Sequence, residues 1–302
     1  MTGDLPHEGT SASQCAHVSV AHDLTVAAGS LAASDAVDTS WSFPPAVIVA
    51  LIAYAGVYAV RWRRSRHEGG ARAAGYGRLA LWLTGIACIA IALLSPIDRL
   101  GEQFAVFHMV QHLLLADLAA VALTLGLTRW ILRPATRRLQ RLERAAGPFG
   151  HPAFGALAYV GVMWFWHIPA MYDATLTNDV VHTLEHLSFA AAGLLYWWHL
   201  LSPIRSRARM TGVGVIIYMA STKVLVGFLG VLLAFAPSLL YDGYARDGQL
   251  WGITALEDQQ AAGALMGLEQ TLIMGVVLVV LFTRMLGEAD RDDERAERYG
   301  TT

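Results

Sequence analysis

Long apolar blocks alternate with short polar, arginine-bearing stretches along most of the chain. Seven blocks stand out: Pro44–Val60, Leu79–Leu94, Phe104–Leu127, Phe154–Ile168, Val181–Leu201, Gly212–Ala236 and Gln260–Phe282. Most approach the ~20 residues a helix needs to cross a bilayer. Because backbone polar groups must be satisfied internally in hydrocarbon, each block predicts a helix. The expected fold is therefore all-α, a polytopic membrane protein of seven transmembrane helices spanning residues 44–283. A polar segment, 1–43, precedes it and a charged one, 284–302, follows it. The fourth block is short, and its start near Gly150 to Phe154 is the least defined boundary.

Composition agrees with this pattern. Of 302 residues, 55% are hydrophobic and 15% charged, against roughly 25% charged in a soluble domain. The net charge of −2 conceals an asymmetry. Arg61, Arg63, Arg64, Arg66, Arg72 and Arg78 lie between the first two blocks, and Arg129 to Arg144 follow the third. Arg205, Arg207 and Arg209 follow the fifth, and Arg284 to Arg298 follow the seventh. The alternate loops keep only Arg99 and Arg246. Basic loops stay cytoplasmic, so the N-terminus is expected outside and the C-terminus inside. Residues 1–43 lack a basic start and a long apolar core, so no cleavable signal is expected there. They form a mobile outer tail in this reading, with His7, Cys15, His17 and His22 a loose soft-metal capture segment at most. Cys15 lies outside and Cys88 within the second span, so no disulfide is expected between them. No nucleic-acid signature and no internal repeat is present.

Ionisable groups inside a membrane are costly and mark function by default. Here they are mainly histidines at one depth. FHMVQH places His108 and His112 in the outer half of the third span. HTLEH places His182 and His186 in the first turns of the fifth, and MWFWHIP leaves His167 at the outer end of the fourth. His108/His112 and His182/His186 are i,i+4 pairs, so each lies on one helical face about 6 Å apart. Five imidazoles on three helices thus share one layer, a constellation that suits a metal ion better than isolated interfacial hydrogen bonding. Met163, four residues before His167, is placed to border the layer, and Met109 less directly so. Imidazole with thioether suits copper, particularly Cu(I), whereas imidazole with carboxylate suits zinc or iron equally well. Glu185 is then a supporting residue that fixes an imidazole tautomer, or an additional ligand. Glu257, Asp258, Gln259 and Gln260 precede the seventh span beside this layer. Asp258 there is either a polar neighbour of the metal or an ordinary helix cap.

Deeper in the membrane lie Asp117, Lys223 and Glu269. A lone buried ammonium is unstable, so Lys223 is expected to pair with Asp117 or Glu269. Such a pair sets helix order or forms part of a proton or ion relay.

FHMVQHLLLADLAA resembles the HMxQHLLL segment of the CtaG-type cytochrome c oxidase assembly factors of Gram-positive bacteria. WFWHIPAMYDATLTNDVVHTLEHLSFAAAGLLYWW is similar to that family's WHxPxLY…H…EHxxF…WW segment. SPIDRL and EDQQAAGALM resemble its SPLD and DQxxxGxxMW elements, with Gly267 where a Trp commonly follows the Met. The resemblance implies a seven-span bacterial plasma-membrane protein that serves haem–copper oxidase maturation, by handling copper. It implies His108, His112, His167, His182 and His186 as ligands, with Asp258 in the DQ element. The implied partner is a membrane subunit of the oxidase, and the role is non-enzymatic.

Three other readings compete. HTLEH spells the HxxEH order of a zinc protease, with Glu185 as general base, but this leaves His108, His112 and His167 without a role. A haem-binding electron carrier would use axial histidines, for which i,i+4 pairs are poorly arranged. A copper transporter would continue inward from the histidine layer through Asp117, Lys223 and Glu269.

Overall fold

A computed structural model describes residues 37–204, 210, 213–246 and 249–300. The N-terminal His7, Cys15, His17 and His22 and the loop arginines Arg205, Arg207 and Arg209 lie outside the described residues. The described chain is almost entirely helical and has no strand, only a single bridge between Leu250 and Ile253.

Helix α1 covers Pro45–Ala73 and bends at Gly70, whose φ is +62°. It is followed by α2 (Tyr76–Leu94) and the short α3 (Pro96–Gly101). The third predicted span is one continuous rod in three parts: α4 (Ala105–Leu113), a π-helical turn (Leu114–Ala119) and α5 (Ala120–Gly126). After α6 (Arg129–Ala145) come α7 (Pro152–Trp166), α8 (Pro169–Thr177), α9 (Asp179–Leu201), α10 (Val213–Ala234) and α11 (Ala255–Tyr299).

Five helices are long and apolar enough to cross a membrane: Pro45–Ala73, Tyr76–Leu94, Ala105–Gly126, Val213–Ala234 and Ala255–Val280. The chain is thus a multi-pass membrane protein. The fourth predicted span corresponds to α7, and α8 leaves its outer end at 73°. Pro169 causes this break: proline has no N–H to continue the ladder and fits only the first turn of a new helix. Helix α9 is 23 residues long, but histidines and a glutamate interrupt its apolar sequence. Helix α11 continues through the charged segment after Phe282 to Tyr299.

The bundle holds together by close helix approach. A Cβ on Gly193 of α9 would collide with the backbone of Ala116 in the π turn, so α9 meets the third span with no side chain between them. Gly263 of α11 likewise lies against the backbone of Gly230 and Ala234 of α10. Small residues serve this purpose in membranes, where packing replaces the hydrophobic effect. A side chain on Gly267 would meet open space, so the missing Trp leaves no local void in protein packing. Cys88 is buried and unpaired.

Among the described residues, the arginine-bearing turns after α1 and after α5 meet at one end of the bundle. Tyr58 Oη donates to the carbonyls of Arg78 and Gly126 at 3.1 and 2.9 Å, and Thr128 Oγ1 donates to Ala73 O at 2.8 Å. The opposite end carries the histidines.

Candidate metal centre

At that opposite end, helix α4 presents His108 and His112 inward one turn apart, and both are fully buried. Helix α9 presents Glu185 and His186 from the facing side. Ligand atoms of His108, His112, Glu185 and His186 all lie within 4.8 Å of one another. The Glu185 carboxylate spans the two α4 imidazoles: Oε2 is 3.2 Å from His108 Nε2 and Oε1 is 3.3 Å from His112 Nε2. Glu185 is 0% exposed. Its carboxylate thus lies within the same 4.8 Å group as the three imidazoles.

His182 and His167 flank this group. The His182 ring lies 4.2 Å from that of His186 and 5.4 Å from that of His108. The His167 ring is 6.5 Å from that of His112. His167 Nδ1 donates to Met163 O at 2.6 Å, which leaves Nε2 as the atom with a free lone pair. A ring nitrogen anchored to a backbone carbonyl is the usual support of a metal-binding histidine. Met163 thus contributes its carbonyl, and both Met163 and Met109 are packed in the apolar core around the site. Phe189 stacks on His112 at 4.0 Å and Tyr172 lies 5.0 Å from His108.

The donor set fits a metal ion by its unsatisfied atoms. Buried His108 Nδ1, His112 Nδ1, His167 Nε2, His182 Nε2 and His186 Nε2 lack a hydrogen-bond partner among the described residues. Buried polar groups are otherwise almost always satisfied. Clustering several such atoms around one point is costly unless a cation or protons fill it. The group opens sideways: His182 and His186 line a groove of about 540 Å³ between α1, α2 and α9, with Asp98 at its rim.

Asp258 stands elsewhere. Its Oδ2 and Oδ1 accept the backbone N–H groups of Ala105 and Val106 at 2.8 and 3.1 Å, capping α4 from another helix. Thr254 and Glu257 cap α11 itself: Glu257 N donates to Thr254 Oγ1 at 3.3 Å and Thr254 N to Glu257 Oε2 at 2.8 Å. That is a reciprocal capping box. Gln259 and Gln260 bind the loop before α11 through Leu240 N, Ser238 O and Ala236 O. Ser95 caps α3, and Asp98 accepts Gln111 Nε2 at 3.1 Å. The SPIDRL and EDQQ segments are thus the brackets that hold the histidine helix in place.

Lys223 is the residue expected to pair with Asp117 or Glu269. Among the described residues Lys223 makes no salt bridge, and it is only partly buried. Asp117 instead accepts Tyr159 Oη at 2.7 Å and Trp197 Nε1 at 3.0 Å. Glu269 accepts Gln270 Nε2 at 2.8 Å. Neutral donors take the place of the cation. The π turn explains why Asp117 faces inward at all. Five residues of α-helix would leave it about 140° round from His112, and one extra residue in the turn restores it to the interior face. Tyr159, Trp197 and Gln270 were not candidates from sequence, because aromatic and amide residues in apolar helices carry no distinguishing pattern.

A multi-pass helical protein with a buried histidine–glutamate cluster at one end of the bundle is the class defined by these observations. The family model for cytochrome c oxidase caa3 assembly factors matches residues 56–288, and the chain belongs to that family. Two mycobacterial relatives are similar: uncharacterized protein Mb0105 of Mycobacterium bovis and uncharacterized protein MT0111 of Mycobacterium tuberculosis. Each is 24% identical over 282 residues, covering 86% of this chain and 42% of its own length. The chain therefore spans about two fifths of the curated relatives it matches. No solved structure matches.

Proposed function

We propose that this protein serves haem–copper oxidase assembly by holding copper at His108, His112, Glu185 and His186 and passing it to an oxidase subunit in the same membrane. His182 and His167 are the flanking imidazoles through which the ion arrives or leaves by ligand exchange. In this reading the chain crosses a bacterial plasma membrane seven times, with the histidine end extracytoplasmic and the arginine end cytoplasmic. Family membership supports the assembly role. The observation that carries copper is the group of four ligand residues within 4.8 Å, fed by otherwise unpartnered imidazole nitrogens. Imidazoles suit copper, zinc or iron, and the client's chemistry selects copper among them.

The competing readings lose support for stated reasons. A zinc protease needs Glu185 free to activate water at a zinc held by His182 and His186. Here the carboxylate lies against His108 and His112, away from solvent. A haem needs a planar slot between its axial histidines, and Phe189 and Tyr172 fill the space beside these rings. An inward transport path has less support without the Lys223 pair.

The test is metal analysis of the purified full chain. One copper per chain is expected after loading with Cu(I), and its loss is expected in the double variant His112→Ala, His186→Ala. A folded wild type that takes up no copper would overturn the proposal.

A further inference from the structure

The arginine end of the bundle carries a second built feature, unrelated to the histidines. Helix α6 is amphipathic and barely packed: Ile131 is its one fully buried residue. All six of its arginines are exposed, with Arg133 3.8 Å from Glu68. Two of its apolar side chains are exposed as well, Trp130 at 42% and Leu142 at 65%. A helix that shows both faces to its surroundings lies in the membrane interface, apolar face to the acyl region and cationic face to the headgroups.

Beside the end of α6 a groove of about 930 Å³ runs between α7 and α10. This is near the top of the ~300–1,000 Å³ range of small-molecule sites. Arg144 and His151 line its mouth together with Glu143, and Leu157, Val160, Ile217 and Leu225 line its length. From Gly214 to Leu225 the α10 wall extends about 16 Å, roughly half of the ~30 Å hydrocarbon core. The groove therefore has the reach of one leaflet.

Two details prepare the mouth for an anion. Arg144 Nε donates to Gln140 O at 3.1 Å, and among the described residues its terminal nitrogens form no ion pair. His151 Nδ1 accepts the N–H of Ala153 at 3.2 Å, capping α7. With Nδ1 accepting, a neutral ring has its proton on Nε2 as a donor. Glu143 is the single acid of α6 against its six arginines, so the helix beside the mouth carries a net positive charge. A headgroup anion with an apolar tail matches both halves of this site.

We infer that the groove between α7 and α10 binds one anionic phospholipid, its phosphate at Arg144 and His151 and an acyl chain along Leu157, Val160, Ile217 and Leu225.

The test uses the purified full chain in detergent and measures retention of phosphatidylglycerol and phosphatidylcholine with matched acyl chains by native mass spectrometry. Phosphatidylglycerol is expected to be retained about tenfold more strongly, since each basic residue near an anionic surface contributes measurably. The double variant Arg144→Gln, His151→Gln should abolish that preference. Leu157→Trp, at a position 69% exposed and so tolerant of size, should reduce retention of both lipids. Equal retention of the two lipids by wild type would overturn the inference. So would loss of the preference in Arg137→Gln, Arg138→Gln with its survival in the mouth variant, because binding would then belong to the α6 belt. Full competition by inorganic phosphate would also overturn it, since the acyl groove would contribute nothing. Copper content plays no part in any readout, so this result stands apart from the assembly reading.

Discussion

Replacing Asp258 by Ala separates a metal ligand from a positioning residue. Both Asp258 oxygens accept backbone N–H groups at the first turn of α4, at 2.8 and 3.1 Å, and the side chain is 1% exposed. Hydrogen bonds to a charged acceptor are worth about 1.5–3 kcal/mol each. Losing two and leaving two buried donors unpaired should therefore cost about 3–5 kcal/mol. Asn retains one acceptor and should cost about half as much. The assay is reversible unfolding in mixed detergent, read by loss of helical circular dichroism, with copper stoichiometry measured on the folded fraction. Expected are a large loss of stability in Asp258→Ala, a smaller one in Asp258→Asn and one copper per chain in both. A variant that keeps wild-type stability but loses its copper would refute the reasoning and make Asp258 a ligand.

Glu185→Gln should lower copper affinity about 10–100-fold without unfolding the protein; equilibrium competition with a chelator measures it, and unchanged affinity would remove Glu185 from the centre. Gly193→Val should prevent accumulation of folded protein, because its side chain meets the Ala116 backbone; Gly267→Ala, facing open space, is the control that should behave as wild type in a melting assay. Lys223→Met should leave both stability and copper content unchanged, since the lysine holds no ion pair; a stability loss above about 1 kcal/mol, beyond the usual range for surface substitutions, would reinstate one. Copper at a hundred times its Kd should stabilise the wild type by about 2.7 kcal/mol, and His112→Ala, His186→Ala should lose that increment in the same unfolding assay.

The local pattern carried the helices and the pairing of histidines within each helix. Apolar block length sets where a chain can cross hydrocarbon, and a four-residue interval sets a shared face, so both are readable without tertiary contacts. The sequence also contained the proline that follows the fourth span, although the 73° bend needed coordinates. What escaped were relations between distant positions. Glu185 meets His108 across 77 residues, and Asp258 caps Ala105 across 153. A carboxylate in a sequence reads the same whether it ligates, caps or pairs.

By itself, then, the sequence determined a many-helix membrane protein with five imidazoles near one level, because periodicity and hydrophobicity are properties of each segment alone. Only the tertiary structure decided which of them converge, that Glu185 joins them, that Asp258 supports them, and that Asp117 is held by Tyr159 and Trp197 instead of Lys223. Those outcomes depend on how closely backbones approach, at Gly193 against Ala116 above all, and on one extra residue in a π turn. Neither is expressed in the spacing of any single helix.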